Sequence, residues 1–174
     1  MTSQQAKAAE FHACDKVYAS EREALMATLD SISAVESCAG GAFATWITQC
    51  KDPTLRGALK IIAEREAYHG RALGRRLAEL GGQPRHVLTP FERDLEAYLS
   101  NPDVSDADKV ERLHELVPDP AHVVSFVLDI VDAIKEDTET REILRLYQQD
   151  EVSSATWLCN YRNQLHTGSR VAAE

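Results

Sequence analysis

The sequence predicts an all-α protein, a four-helix bundle with one long crossover between its second and third helices and short extra helices beside it. Three observations carry this. Apolar residues recur at spacings of three and four along nearly the whole chain, while alternation at period two is almost absent. Residues 20–80 and 120–166 each read as a pair of helices with a very short connection, which forces the partners antiparallel. Between the pairs lies a crossover, residues 83–119, too long for a turn and carrying helix starts of its own.

At 174 residues the chain fits one domain that buries a core without staples. Its formal net charge is −9, from 19 basic and 28 acidic residues, and the Arg71, Arg75, Arg76 cluster is too small to offset that. Nucleic acid is therefore not an expected partner. No apolar run is long enough for a bilayer, and Met1 to Gln5 lack the basic-then-apolar layout of a secretory signal, so a cytoplasmic protein is expected. Cys14, Cys38, Cys50 and Cys159 form no C-x-x-C pair and read as free thiols in a reducing compartment.

Residues 1–19 form an N-terminal segment, where Phe11, Cys14 and Val17 suit a short amphipathic helix over 4–18. Ser20 and Glu23 have capping-box spacing and start the first long helix, which runs to about Cys50. Asp52 as N-cap and Pro53 as first residue open the second, closed near Leu80 by Gly81-Gly82. In the crossover, Thr89-Pro90-Phe91-Glu92 is a capping box and Ser105 to Asp108 resembles another start. Asp119 and Pro120 suit the start of the third helix, and Pro118 and Pro120 predict a kink where it begins. The chain turns around Asp137 to Thr140 and a fourth helix runs to about His166, leaving 167–174 as a tail.

Polar residues interrupt the apolar stripes. The first helix reads Met26, Leu29, Ser33, Glu36, Gly40, Phe43, Ile47, so Glu36 sits at a core position. The second reads Leu55, Leu59, Ile62, Glu66, His69, Leu73, with two polar groups facing inward. The fourth reads Leu144, Tyr147, Glu151, Ser154, Leu158, Tyr161. Reflected about Lys51, Glu36 and Glu66 fall at one height in the bundle, which makes two independent anomalies a single site. A buried carboxylate without compensation costs on the order of several kcal/mol, and a divalent metal is the sharpest compensator. Gly40-Gly41 disfavour a helix, so they permit either close helix approach or access near Glu36. Tyr68, Tyr147, Trp157 and Tyr161 read as core and interface aromatics rather than as a redox relay.

These residues resemble the ferritin-like superfamily, and within it the rubrerythrin-like di-iron carboxylate proteins. The resemblance covers roughly residues 20–166 and rests on Glu36, Glu66-x-x-His69 and Glu151. It departs from the family at two places: Ser154 stands where a second histidine belongs, and the third helix has no glutamate at the height of Glu151. His122, near that height, is the candidate replacement ligand, with a contact to Asp119 at the helix start as its plainer reading, and Glu115 is a second candidate. Glu36, Glu66, His69, Glu151 and His122 are thus the expected metal ligands. Carboxylate-rich donors suit iron or manganese, in a di-iron or single-ion site.

By resemblance the chemistry would be an oxidoreductase reaction on dioxygen or peroxide, in a homodimer. No rubredoxin-type cysteine pairs are present, so an external electron donor is expected. The alternative is a degenerate ferritin-like bundle without catalysis, a dimeric binding or structural protein whose polar cluster is kept by protonation and mutual hydrogen bonds.

Overall fold

The structure is a computed structural model that describes residues 10–13 and 16–171, with Ala13 and 168–171 described by backbone alone. Its first long helix, α1 (Glu21–Gln49), starts where the predicted cap stands: the Ser20 hydroxyl accepts from the Glu23 amide, and the Glu23 carboxylate reaches back to the Ala19 amide. The second, α2 (Pro53–Glu79), is capped by the Asp52 carboxylate, which accepts from the Thr54 and Leu55 amides, and Gly81 follows its end at φ +75°. With only residues 50–52 between them the two run antiparallel, and Arg22 at the start of α1 donates to the Leu80 carbonyl at 2.6 Å.

Two glycines let α1 and α2 touch at mid-height. A Cβ on Gly40 would stand 3.1 Å from the Ala67 backbone nitrogen, and one on Gly70 would stand 3.0 Å from the Ser37 nitrogen and 3.2 Å from the Ser33 carbonyl oxygen. Those neighbours are backbone and cannot swing aside. Gly70→Ala is therefore expected to lower the urea midpoint by about 1–3 kcal/mol equivalent, as overpacking does. Gly41→Ala, which meets nothing within 4 Å, is expected to hold or raise it.

The crossover holds α3 (Pro90–Ser100), with the complete Thr89–Glu92 capping box, and α4 (Asp106–Leu116), capped by Ser105. The third helix is broken more severely than a kink. The Asp119 carboxylate caps a 3-10 turn, Pro120–His122, and a new helix, α5 (Ser125–Ala133), begins after Val124 without any side-chain cap. Prolines at 118 and 120 remove two amide donors and push the residues before them out of helical conformation. The last helix, α6 (Thr138–Val171), runs beyond His166 into the predicted tail. It packs on α2, on α4, on the 3-10 turn and on α5, so α4 and α5 meet it on either side of a break in the chain's helices. Glu111 accepts two bonds from Arg162 at 2.7 Å and fixes α4 to the far end of α6.

The N-terminal helix expectation is corrected. Phe11–Ala13 (β1) and Lys16–Tyr18 (β2) pair antiparallel, with Phe11 opposite Tyr18 and His12 opposite Val17. One helical face would have buried Phe11 and Val17 together, whereas here Phe11 packs on the core and Val17 is 59% exposed. Residues 1–9 and Cys14 lie outside the described part.

The core is divided. One cluster joins the start of α1, the end of α2, α5 and the start of α6, around Leu25, Leu77, Val127 and Leu144. The other joins the end of α1, the start of α2, α3, α4 and the end of α6, around Trp46, Leu55, Leu99 and Tyr161. Glu36, Glu66, His69, Glu151 and Ser154, buried polar residues of the three long helices, fall between the two along the chain. Among the described residues no helix is long and apolar enough to cross a membrane.

Candidate metal centre

Glu36 from α1, Glu66 and His69 from α2 and Glu151 from α6 meet in that divide. All four are buried, and one donor atom from each lies within 4.8 Å of the others. The equal heights read from the sequence thus correspond to one cluster. His69 Nδ1 is 3.5 Å from Glu36 Oε2 and 3.2 Å from Glu151 Oε1, yet none of these three buried atoms has a hydrogen-bond partner. They are close enough to attract and wrongly aligned to bond. Leaving a buried polar atom unsatisfied costs about 1–3 kcal/mol, so three converging on one point call for a common partner. Ligands roughly 2.1 Å from one cation stand about 3.0–3.4 Å apart at right-angle to tetrahedral angles, close to the two His69 distances, while the four donor atoms together span up to 4.8 Å and would have to draw in around an ion.

The remaining atoms of the same side chains are held by neighbours. His69 Nε2 faces Asp150 Oδ2 at 3.2 Å, an arrangement that fixes the ring and aims Nδ1 inward. The Tyr147 hydroxyl donates to Glu36 Oε1 at 2.8 Å, leaving Oε2 free, and its ring stands edge-on to His69 with centroids 5.0 Å apart. Arg65 donates to Ser154 Oγ at 3.2 Å. Ser154 is therefore not a spare ligand but a prop for a cation. The Arg65 charge acts on the cluster from there, opposing the rise of Glu66.

Burial and mutual hydrogen bonding set the protonation of the metal-free cluster. Burial, reinforced by the hydrogen bond and charge of Glu36, pushes Glu66 far above the usual carboxylate range, so it is neutral at pH 7. Burial raises Glu151 too, only partly opposed by His69. On Glu36 burial is outweighed by the adjacent Glu66 and His69 groups and by the Tyr147 hydrogen bond, which lower it. Burial works against the His69 cation, but Glu151, Glu36 and Asp150 win and lift it to about 10. The empty cluster is thus a protonated imidazole, at least one neutral carboxyl and at least one carboxylate.

Two candidates from the sequence stay outside. His122 is exposed and pairs through Nδ1 with Asp119 Oδ2 at 2.9 Å: the 3-10 turn packs on α6 but leaves the His122 side chain in solvent. Glu115 is exposed and pairs with Arg112 at 3.1 Å. Tyr147, taken from the sequence as core packing, holds a ligand; its place one turn before Glu151 in the same stripe was the available signal. Arg65, which the charge pattern assigns to a solvated face, is half-buried and reaches α6. Cys38, Cys50 and Cys159 are free and outside the cluster. No known family's sequence model, no curated protein and no solved structure matches the chain, so the reading of the centre rests on its own geometry.

Proposed function

We propose that the chain is a ferritin-like metalloprotein in which Glu36, Glu66, His69 and Glu151 hold one iron or manganese ion for oxidoreductase chemistry on dioxygen or peroxide. The observation that carries the metal is the convergence of Glu36 Oε2, His69 Nδ1 and Glu151 Oε1, all buried and none bonded. The ferritin-like reading is supported by an antiparallel α1–α2 pair, a crossover with helices of its own and α6 returning along α2. Three carboxylates and one imidazole are hard donors that suit iron or manganese. A bound iron or manganese would supply one-electron redox chemistry. This chain's own part is to shield that chemistry between two apolar clusters, to lock the His69 ring through Asp150 and to hold Glu36 through Tyr147. Electrons would come from an external donor. His122 has no part in the site, which favours a single ion over a pair.

The test is elemental analysis after anaerobic Fe(II) loading, together with calorimetric Mn(II) titration at pH 7.5. About one ion per chain, bound with proton release, is expected, since Glu66 and His69 must each lose a proton to coordinate. Retention of neither metal would remove the reading. The cluster would then be a proton-sharing polar core in a non-catalytic bundle acting as a dimeric binding or structural protein, a reading that the neutral Glu66 favours.

A further inference from the structure

A chamber of about 500 Å³ lies against the carboxylates. It exists where the helix beside α6 is broken: Val117, Val123 and Val124 line it at the break, and Phe43, Ile62 and Leu113 line it from the intact helices. Glu36, Glu66 and Glu151 face it from the metal centre. His114 lines it as well, and its Nδ1 is buried with no hydrogen-bond partner. Phe91 and Phe126, about half exposed, belong to the same lining and mark its outer side. The volume is within the roughly 300–1,000 Å³ of pockets that take small organic ligands, and apolar walls with a few convergent polar groups are their usual form.

We propose that this chamber binds an uncharged, mainly apolar organic molecule with one hydrogen-bonding end group, its body on the valine, phenylalanine and leucine walls. As the substrate class of the metal centre this rests on the reading above; as a binding site it stands without it. Charge narrows the class. Four glutamates and no lysine or arginine line the chamber, so in the metal-free protein an anionic head would be desolvated beside carboxylates with no basic side chain of the lining to receive it. A cationic head would compete with the metal for the same oxygens. A neutral end group suits His114 Nδ1, which donates or accepts according to tautomer.

The probe is Nile red, a neutral dye, displaced by decan-1-ol or by decanoate at pH 7.5, with metal-free and with Mn(II)-loaded protein. One dye per chain is expected, displaced by decan-1-ol and at least about tenfold more weakly by decanoate. Ala39→Phe and Ala155→Phe fill the chamber from α1 and from α6 respectively. Each is expected to weaken dye and alcohol binding by about tenfold or more while Mn(II) affinity and helical circular dichroism stay unchanged. Dye binding that survives both fillings, or decanoate displacing as well as the alcohol, would overturn the chamber. Alcohol binding without Mn(II) uptake would support the chamber and sink the metal reading; Mn(II) uptake without alcohol binding would do the reverse.

Discussion

His69→Gln is expected to weaken Mn(II) binding by about a hundredfold or more, because His69 is the one nitrogen donor among the four proposed ligands. Glutamine keeps a polar group of similar reach beside Asp150, so the loss is one of coordination rather than of folding. Asp150→Asn is the companion. Its carboxylate meets the outer nitrogen of His69 at 3.2 Å, and its side chain is 45% exposed, so replacing it opens no cavity. A loss of about 10–100-fold is expected there, as for other partners that orient a ligating histidine. Calorimetric titration of the three proteins at one pH reads both effects. Equal affinities for wild type and His69→Gln would remove His69 from the centre, and a loss in His69→Gln with none in Asp150→Asn would leave the ligand and remove its orienting partner.

Most of the long-helix framework was legible because its signals are local. Ser20, Asp52, Thr89 and Ser105 each bond the amides their spacing predicts. The stripes of α2 and α6 could be followed through their polar interruptions, and the short α1–α2 connection converted sequence distance into height. That was enough to bring Glu36 to Glu66. The failures lie where a second element decides. The hairpin at Phe11 to Tyr18 depends on a cross-strand pair and on a core residue offered by other helices, neither of which periodicity records. Setting His122 at the height of Glu151 assumes a straight third helix, and the 3-10 turn breaks that assumption. Asp150 and Tyr147 act through the far atoms of His69 and Glu36, contacts that a stripe of inward positions does not reveal.

One cause links the missing ligand to the chamber. Proline at 118 and 120 prevents a continuous helix beside Glu151, so no backbone there carries a donor toward the centre. The same interruption leaves a space beside α6 at that height, walled by valines and phenylalanine. A continuous helix through that stretch would close the space.

Glu66→Gln is expected to make the metal-free protein more stable at pH 8, in chelator, while abolishing most Mn(II) affinity. The sign follows from linkage. Glu66 is held protonated in the fold by burial and by Glu36, whereas in the unfolded chain it ionises above about pH 4.5. The folded state then binds the extra proton, and stability falls as pH rises above that value. His69 acts in the same direction: with its folded value lifted to about 10 from 6.5, its contribution is whole below pH 6.5 and is lost as pH rises through 10. Glutamine stays neutral at every pH and still offers an N–H to Glu36, so the Glu66 slope is removed while those of His69 and Glu151 remain. At 1.36 kcal/mol per pH unit, and with relaxation of the cluster, the gain at pH 8 is on the order of 3 kcal/mol. With excess Mn(II) the order inverts, because the ion binds the folded wild type and adds RT ln(1 + [L]/Kd) to it alone. Urea unfolding from pH 5 to 9, with chelator and with Mn(II), shows whether the two curves cross. A variant less stable than wild type in chelator at pH 8 would mean that Glu66 is ionised and paired in the empty cluster, and the proton-release step of metal binding would fall with it.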